Sequence, residues 1–333
     1  MQHKRYYELD RLNVLYCLIV VFIHAFGIYT ARLTQGSTTQ LICTAFMKNC
    51  AFVVQGFMFL SAAKYSLIYS DKKINYLKFI KGRFKRVILP YIICVCAYYL
   101  VFVVIDYVQN PGVVPLVRYI LDGTLSAQFY FVIAIVQFYV SLPLWLWLYK
   151  RVNGVLLTGI AVAVWALWLH FFAGICVFFD RIFLTYIPFW AAGLAVGRKY
   201  TGFKNKITSH TGVVVFIFLV FYGANAIVRH FLELSPNMLE VLHTAYCFSA
   251  IMVTYALFSK DKRSLSPLIK GMNELSFDIY LWHCLLLVFI DRFLAEISFT
   301  MLWHEALLRS LAVYSVIFVV SFIKGITMKR RKG

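Results

Sequence analysis

Ten stretches of this chain are apolar runs of roughly twenty residues, near 12–30, 41–68, 87–108, 129–149, 155–173, 183–199, 211–231, 239–258, 275–295 and 302–324. A helix needs about 20 apolar residues to cross a hydrocarbon core of about 30 Å. In lipid, backbone polar groups must be satisfied within the segment, so runs of this length read as helices. Composition agrees, with 62% hydrophobic and 14% charged residues, where soluble domains lie nearer half apolar and a quarter charged. The expected fold is all-α: a polytopic integral membrane protein of about ten transmembrane helices, forming one transmembrane domain over 1–333. Within it lie a basic amphipathic cytoplasmic segment at 71–87 and a basic tail at 325–333.

The formal net charge is +19, which raises the question of nucleic acid. The basic residues fall in short clusters between apolar runs, a pattern that orients a protein in a bilayer. The expected partner is therefore the lipid bilayer and not nucleic acid. Ten crossings put both termini on one side. With that side cytoplasmic, 26 of the 33 Lys and Arg residues face inward and seven face outward, namely Arg32, Lys48, Arg118, Arg181, Arg229, Arg292 and Arg309. No small-residue cleavage site follows the first run, so no removable signal peptide is expected. The eight cysteines (Cys17, Cys43, Cys50, Cys94, Cys96, Cys176, Cys247 and Cys284) lack metal spacing and read as small hydrophobes, and no metal is expected. Cys43 and Cys50 lie near one membrane face and could pair. Pro90, Pro143 and Pro188 fall inside apolar runs, where each should free a carbonyl and kink its helix. No internal repeat is evident.

Three constellations can carry chemistry. The first is His24, within YELDRLNVLYCLIVVFIHAF at 7–26. An ionisable group inside an apolar run is costly and points to function. It sits about 18 Å along its run, in the outer half for a cytoplasmic amino end. Asn13 lies eleven residues upstream and shares its face. His24 reads either as a general base or as a neutral imidazole bonded to a neighbouring helix. The second is DKKINYLKFIKGRFKRVILPY at 71–91, where Arg83 and Arg86 share a helical face. It reads as a headgroup anchor or as a docking site for a phosphorylated cofactor. The third is LSFDIYLWHC at 275–284, whose Ser276, Tyr280 and His283 make one polar stripe. His283 reads as a structural or a second functional histidine, about 12 Å deep and nearer the cytoplasmic half than His24.

These residues resemble the membrane-bound acyltransferase type 3 family. LDRLNVLYCLIVVFIHAF resembles its opening helix, GFMFLSAAKYSL at 56–67 its "FxxSG" stretch, and GRFKRVILPY its Arg-x-x-Arg and Pro-Tyr stretch. QFYFVIAIVQFYVSLPL at 128–144, LTYIPFWAAGLAVGR at 184–198 and LSFDIYLWH are similar to three later helices, in the family's order. Two positions depart from the pattern. Asn13 stands where the family usually has Arg or Lys, and Ala62 where Gly is usual. Arg11 lies about 200° round the helix from Asn13 and cannot take over its place.

The resemblance implies transfer of an acyl group, usually acetyl from acetyl-CoA, to hydroxyls of cell-surface glycans. It makes His24 the catalytic histidine and Arg83 and Arg86 the candidates for the CoA phosphates. Asn13, Ser276, Tyr280 and His283 are the candidate substrate contacts. The expected location is the plasma (inner) membrane of a bacterial cell. The acceptor is a cell-surface glycan or lipid-linked molecule, reached directly or through a separate extracytoplasmic transferase. Two readings from other classes stand beside it: a transporter or exporter of a small polar solute, and a membrane scaffold for glycan machinery. The absence of a repeat weighs against transport.

Overall fold

Each of the ten apolar runs falls on helix in a computed structural model of the chain, which describes residues 6–69, 72–232, 234–261, 263–296 and 302–330. The helices are α1 (Tyr7–Arg32), α2 (Thr38–Cys50), α3 (Val53–Tyr69), α4 (Tyr76–Arg83), α5 (Leu89–Val104), α6 (Val113–Asp122), α7 (Tyr130–Val140) and α8 (Leu142–Arg151). They continue with α9 (Gly154–Phe172), α10 (Ile187–Arg198), α11 (Tyr200–Ser209), α12 (Thr211–Phe231), α13 (Pro236–Ser259), α14 (Pro267–Glu296) and α15 (Leu302–Arg330). Helix accounts for 85% of the described residues, and no strand occurs among them. The start of the basic segment (Asp71) and the last three residues of the tail lie outside the described residues.

Seven of the described spans are long and apolar enough to cross a membrane, or eight if α7 and α8, bent by 56°, form one. Ten apolar runs therefore do not become ten spans by this measure. The sixth run yields α10, which has only 12 residues and reaches about 18 Å at 1.5 Å per residue. The ninth lies in α14, long enough at 30 residues but interrupted by Lys270, Glu274, Asp278, Asp291 and Arg292. The three prolines explain the breaks that do occur. Pro90, Pro143 and Pro188 each stand at the second position of a helix (α5, α8 and α10), where a missing N–H costs nothing. Before Pro90 the ladder widens to a π-turn over Phe84–Ile88, and the Leu89 N–H reaches back five residues to the Phe84 carbonyl. Before Pro143, Ser141 Oγ donates to the Gln137 carbonyl at 2.7 Å and accepts from Trp145 Nε1 at 3.1 Å, bridging the bend.

The contacts divide the chain into two compact units, Met1–Phe57 with Thr201–Gly333, and Met58–Tyr200. In the first, α1 runs parallel to α14 and antiparallel to α15, around a core of Val14, Val21, Ala25, Met272, Leu287, Val313 and Ile317. Small residues let these helices close: a Cβ on Gly271 would overlap the Ser321 carbonyl oxygen, and one on Gly325 the Pro267 carbonyl oxygen. Elsewhere in this unit, Asn49 of α2 accepts from Asn225 Nδ2 at 2.5 Å, and its own carbonyl accepts from Tyr246 OH at 2.7 Å. That tie joins α2, α12 and α13, as polar side chains do between helices in lipid. Cys43 and Cys50 do not pair in a disulfide.

In the second unit, Gly197 lets α10 lie against α3, since a Cβ there would be 2.5 Å from Ser66 Cβ. Ser66 Oγ donates to the Leu194 carbonyl at 3.0 Å across the same seam, and Trp190 stacks on Phe138 at 4.3 Å. Replacing Gly271 by Val should push α14 from α15 and cost about 1–3 kcal/mol or more. A lowered thermal-aggregation midpoint in detergent checks this, with Gly159→Val, whose Cβ meets nothing within 4 Å, as the neutral control.

Candidate functional site

The long contact between α1 and α14 gathers the sequence-predicted residues of the first unit into one line. Its opening is charged. Glu8 and Asp10 sit in the first turn of α1, where acidic groups suit the helix dipole. Glu8 pairs with Lys204 Nζ at 2.6 Å. Arg11, only 6% exposed, turns the other way: it donates to the carbonyls of Asp261 (2.8 Å) and Arg263 and lies 3.5 Å from the Asp261 carboxylate. Hydrogen bonds from Arg263, backbone and side chain, hold the Asp261 carboxyl down at about 2, with Arg11 adding to the effect. Arg11 thus fastens the foot of α1 to the connection between α13 and α14.

One turn on, Asn13 Nδ2 donates to Asn273 Oδ1 and Ser276 Oγ, both at 2.9 Å. Ser276 Oγ in turn donates to the Asn273 carbonyl at 3.0 Å. Asn13 is therefore held in a neutral hydrogen-bonded group, and no cation enters it from Arg11. Tyr280 follows on α14, 5% exposed, its ring 6.4 Å from Phe57 and 6.2 Å from His283.

The line ends at two histidines in contact. The rings of His24 and His283 lie 5.1 Å apart, inclined at 51°. His283 is 2% exposed, and its Nδ1 lies 3.0 Å from the Ile279 carbonyl and 2.8 Å from the Tyr280 carbonyl. A carbonyl only accepts, so Nδ1 carries the proton and Nε2 presents the lone pair. Cys284 Sγ lies 3.3 Å from that Nε2. The two histidines share one level, where the sequence depths set them apart. The apolar run holding His283 starts at Leu275, whereas α14 begins at Pro267, eight residues earlier, so His283 lies deeper along its helix than the run implies.

Sequence reasoning missed the group that fixes this level. Arg309 of α15, 6% exposed, donates from Nη1 to the carbonyls of His24 (2.7 Å) and Ala25 (2.6 Å). Its Nε and Nη2 hold the Asp291 carboxylate bidentately at 2.6 and 2.9 Å. Asp291 and Arg309 lie in consecutive apolar runs with opposite charge, a signal that points to an intramembrane pair.

Arg83 and Arg86 belong to the second unit and differ in setting. Asn75 caps α4 through the Lys78 N–H at 3.1 Å, and Phe79 is buried while Lys78, Lys81 and Lys85 are exposed. Arg83 is half-buried among Tyr65, Phe79 and Tyr139, whose ring centroids lie 5.9, 5.4 and 5.7 Å from its guanidinium carbon. It also donates to Tyr65 OH at 2.9 Å. Arg86, past the start of the π-turn, is exposed.

With this geometry in hand, the comparison with protein families is decisive: the family model described as an acyltransferase domain matches residues 6–326. The chain belongs to the membrane-bound acyltransferase type 3 family. No curated protein and no solved structure matches it. The match runs through α1, α14, α15 up to residue 326 and the aromatic setting of Arg83, so these stand within the acyltransferase region. It favours the transferase reading over the transporter.

Removing Arg309 (Arg309→Leu) leaves a carboxylate without its bidentate partner and should cost about 3 kcal/mol. The double variant with Asp291→Leu should recover part of it in a thermal-stability cycle. The contribution of Asp261, whose carboxyl titrates below its unfolded value of about 4, is present above that pH and is lost only as pH falls toward about 2. Proteolysis of the 260–266 connection should therefore be flat from pH 8 to 5 in the native chain, and in Asp261→Asn faster throughout that range.

Proposed function

We propose that this acyltransferase moves an acetyl group from cytoplasmic acetyl-CoA to a hydroxyl of an extracytoplasmic glycan or lipid-linked acceptor, with His24 as general base. The observation that carries this reading is the contact of half-buried His24 with buried His283 on a chain of the acyltransferase family. A neutral imidazole can take the hydroxyl proton as the oxygen attacks the thioester carbonyl, then return it to the departing thiolate. Arg309 acts as a positioning residue, holding the α1 backbone at His24 through two carbonyls. Asn13, Ser276, Tyr280 and His283 lie along the same contact and are the proposed substrate contacts.

The donor's phosphates are assigned to Arg83 and Arg86. Arg83 is stiffened by its aromatic neighbours, which suits a planar group that must meet phosphate in a fixed orientation. The lysines exposed beside it on α4 add positive charge at the same surface. Charge distribution supports cytoplasmic termini, which sets the donor on the inner side and opens His24 toward the outer half. In this reading α10 and α14 complete the crossings, and the protein resides in the plasma (inner) membrane of a bacterial cell. Transfer ends on this chain or passes to a separate extracytoplasmic transferase.

His24→Ala should lower acetyl transfer by about 100-fold or more while leaving membrane insertion and the size-exclusion profile unchanged. Full activity in that variant would remove the catalytic role. Arg83→Ala should raise the KM for acetyl-CoA about tenfold with a smaller change in kcat, the pattern of lost ground-state binding. Release of CoA that requires acceptor, followed with a thiol reagent in proteoliposomes, measures both.

A further inference from the structure

The α1–α14 contact brings together three metal-ligating atoms. His24, His283 and Cys284 each offer one, and all three lie within 4.8 Å of one another. Cys284 Sγ is 3.3 Å from His283 Nε2, near the separation of about 3.5 Å that a sulfur and a nitrogen adopt on one tetrahedral ion. The ring nitrogen that turns away from the cluster is already committed: His283 Nδ1–H donates to the Ile279 and Tyr280 carbonyls. A backbone carbonyl on that nitrogen is how metal-binding histidines are held in tautomer and orientation. His283 is 2% exposed, so its lone pair meets the cluster and not water.

Charge selects the ion. One thiolate and two neutral imidazoles make a soft donor set that suits copper(I) or zinc. Copper(I) gives a complex of zero net charge, whereas zinc(II) leaves one positive charge in apolar surroundings, which is costly. The Arg309 guanidinium, hydrogen-bonded to the His24 carbonyl, adds to that cost.

We propose that His24, His283 and Cys284 form a three-coordinate site for monovalent copper. Binding forms two Cu–N bonds and one Cu–S bond and releases the thiol proton to solvent; no electron is transferred. The site goes beyond the acyl-transfer reading and stands without it. Where that reading holds, the ion occupies the lone pair that His24 would use as a base, so the loaded protein is silenced. Copper and catalysis then compete for one nitrogen.

The test uses the full chain in nanodiscs, loaded anaerobically with ascorbate-reduced copper against a competing copper(I) chelator. Expected are one ion per chain by mass spectrometry and an X-ray absorption spectrum with one sulfur and two nitrogen ligands. Cys284→Ala and His24→Ala, with the other seven cysteines in place, should each weaken binding by more than the 10–100-fold that loss of an outer partner costs. Cys284→Ser, which keeps the volume, repeats the reading should the alanine variant not fold. Stoichiometry well below one, or equal affinity in native and Cys284→Ser protein, overturns the site. Zinc(II) held as tightly in a parallel competition overturns the charge argument for copper. Metal uptake is measured without substrate, so a protein that binds copper but, when metal-free, transfers no acyl group refutes only the acyltransferase mechanism.

Discussion

The first unit depends on the buried Arg309 guanidinium. In an apolar bundle a charge persists only where its donors are spent on acceptors. Arg309 spends them on Asp291 and on the carbonyls of His24 and Ala25. Those contacts couple α15 to α14 through a carboxylate and α15 to α1 through the backbone. The level at which His24 meets His283 follows from them. Apolar packing around Val21, Leu287 and Val313 closes the bundle but is indifferent to small slides, because one aliphatic contact resembles the next. Directional hydrogen bonds are what fix the register.

Much of this was legible in the sequence. The ten apolar runs all fall on helix, and the shared face of Asn13 and His24 is real: both meet α14, at Ser276 and His283. The family resemblance, drawn from short motifs in order, agrees with the match over 6–326. What could not be read was pairing over long separations. Asn13 meets Asn273 across 260 residues, and nothing in local spacing encodes that. Cys284 reads as a small hydrophobe in sequence, yet its sulfur lies beside Nε2 of its neighbour His283, and only the fold brings His24 to that pair.

The count of crossings shows a different limit. A run can be apolar enough to suggest a span while proline starts the helix late, as Pro188 does for α10. Alternatively the helix extends beyond the run into charged residues, as α14 does. Proline was expected to kink helices from within. It stands instead at helix starts, with the strain moved into the preceding turn: a π-turn before Pro90 and a serine-bridged bend before Pro143. Counting residues along an apolar run also misjudges depth, because the ladder does not begin where the hydrophobicity begins.

Two buried arginines grip the backbone at separate places along α1 or beside it. Near its foot Arg11 grips the carbonyls of Asp261 and Arg263, and farther along Arg309 grips those of His24 and Ala25. A rod pinned at two points along its length cannot piston along its axis, and it cannot spin without breaking one of the pins. Any opening of the α1–α14 contact must therefore come from the neighbours swinging about α1 as a fixed axle, which leaves the height of the histidine pair constant through the motion.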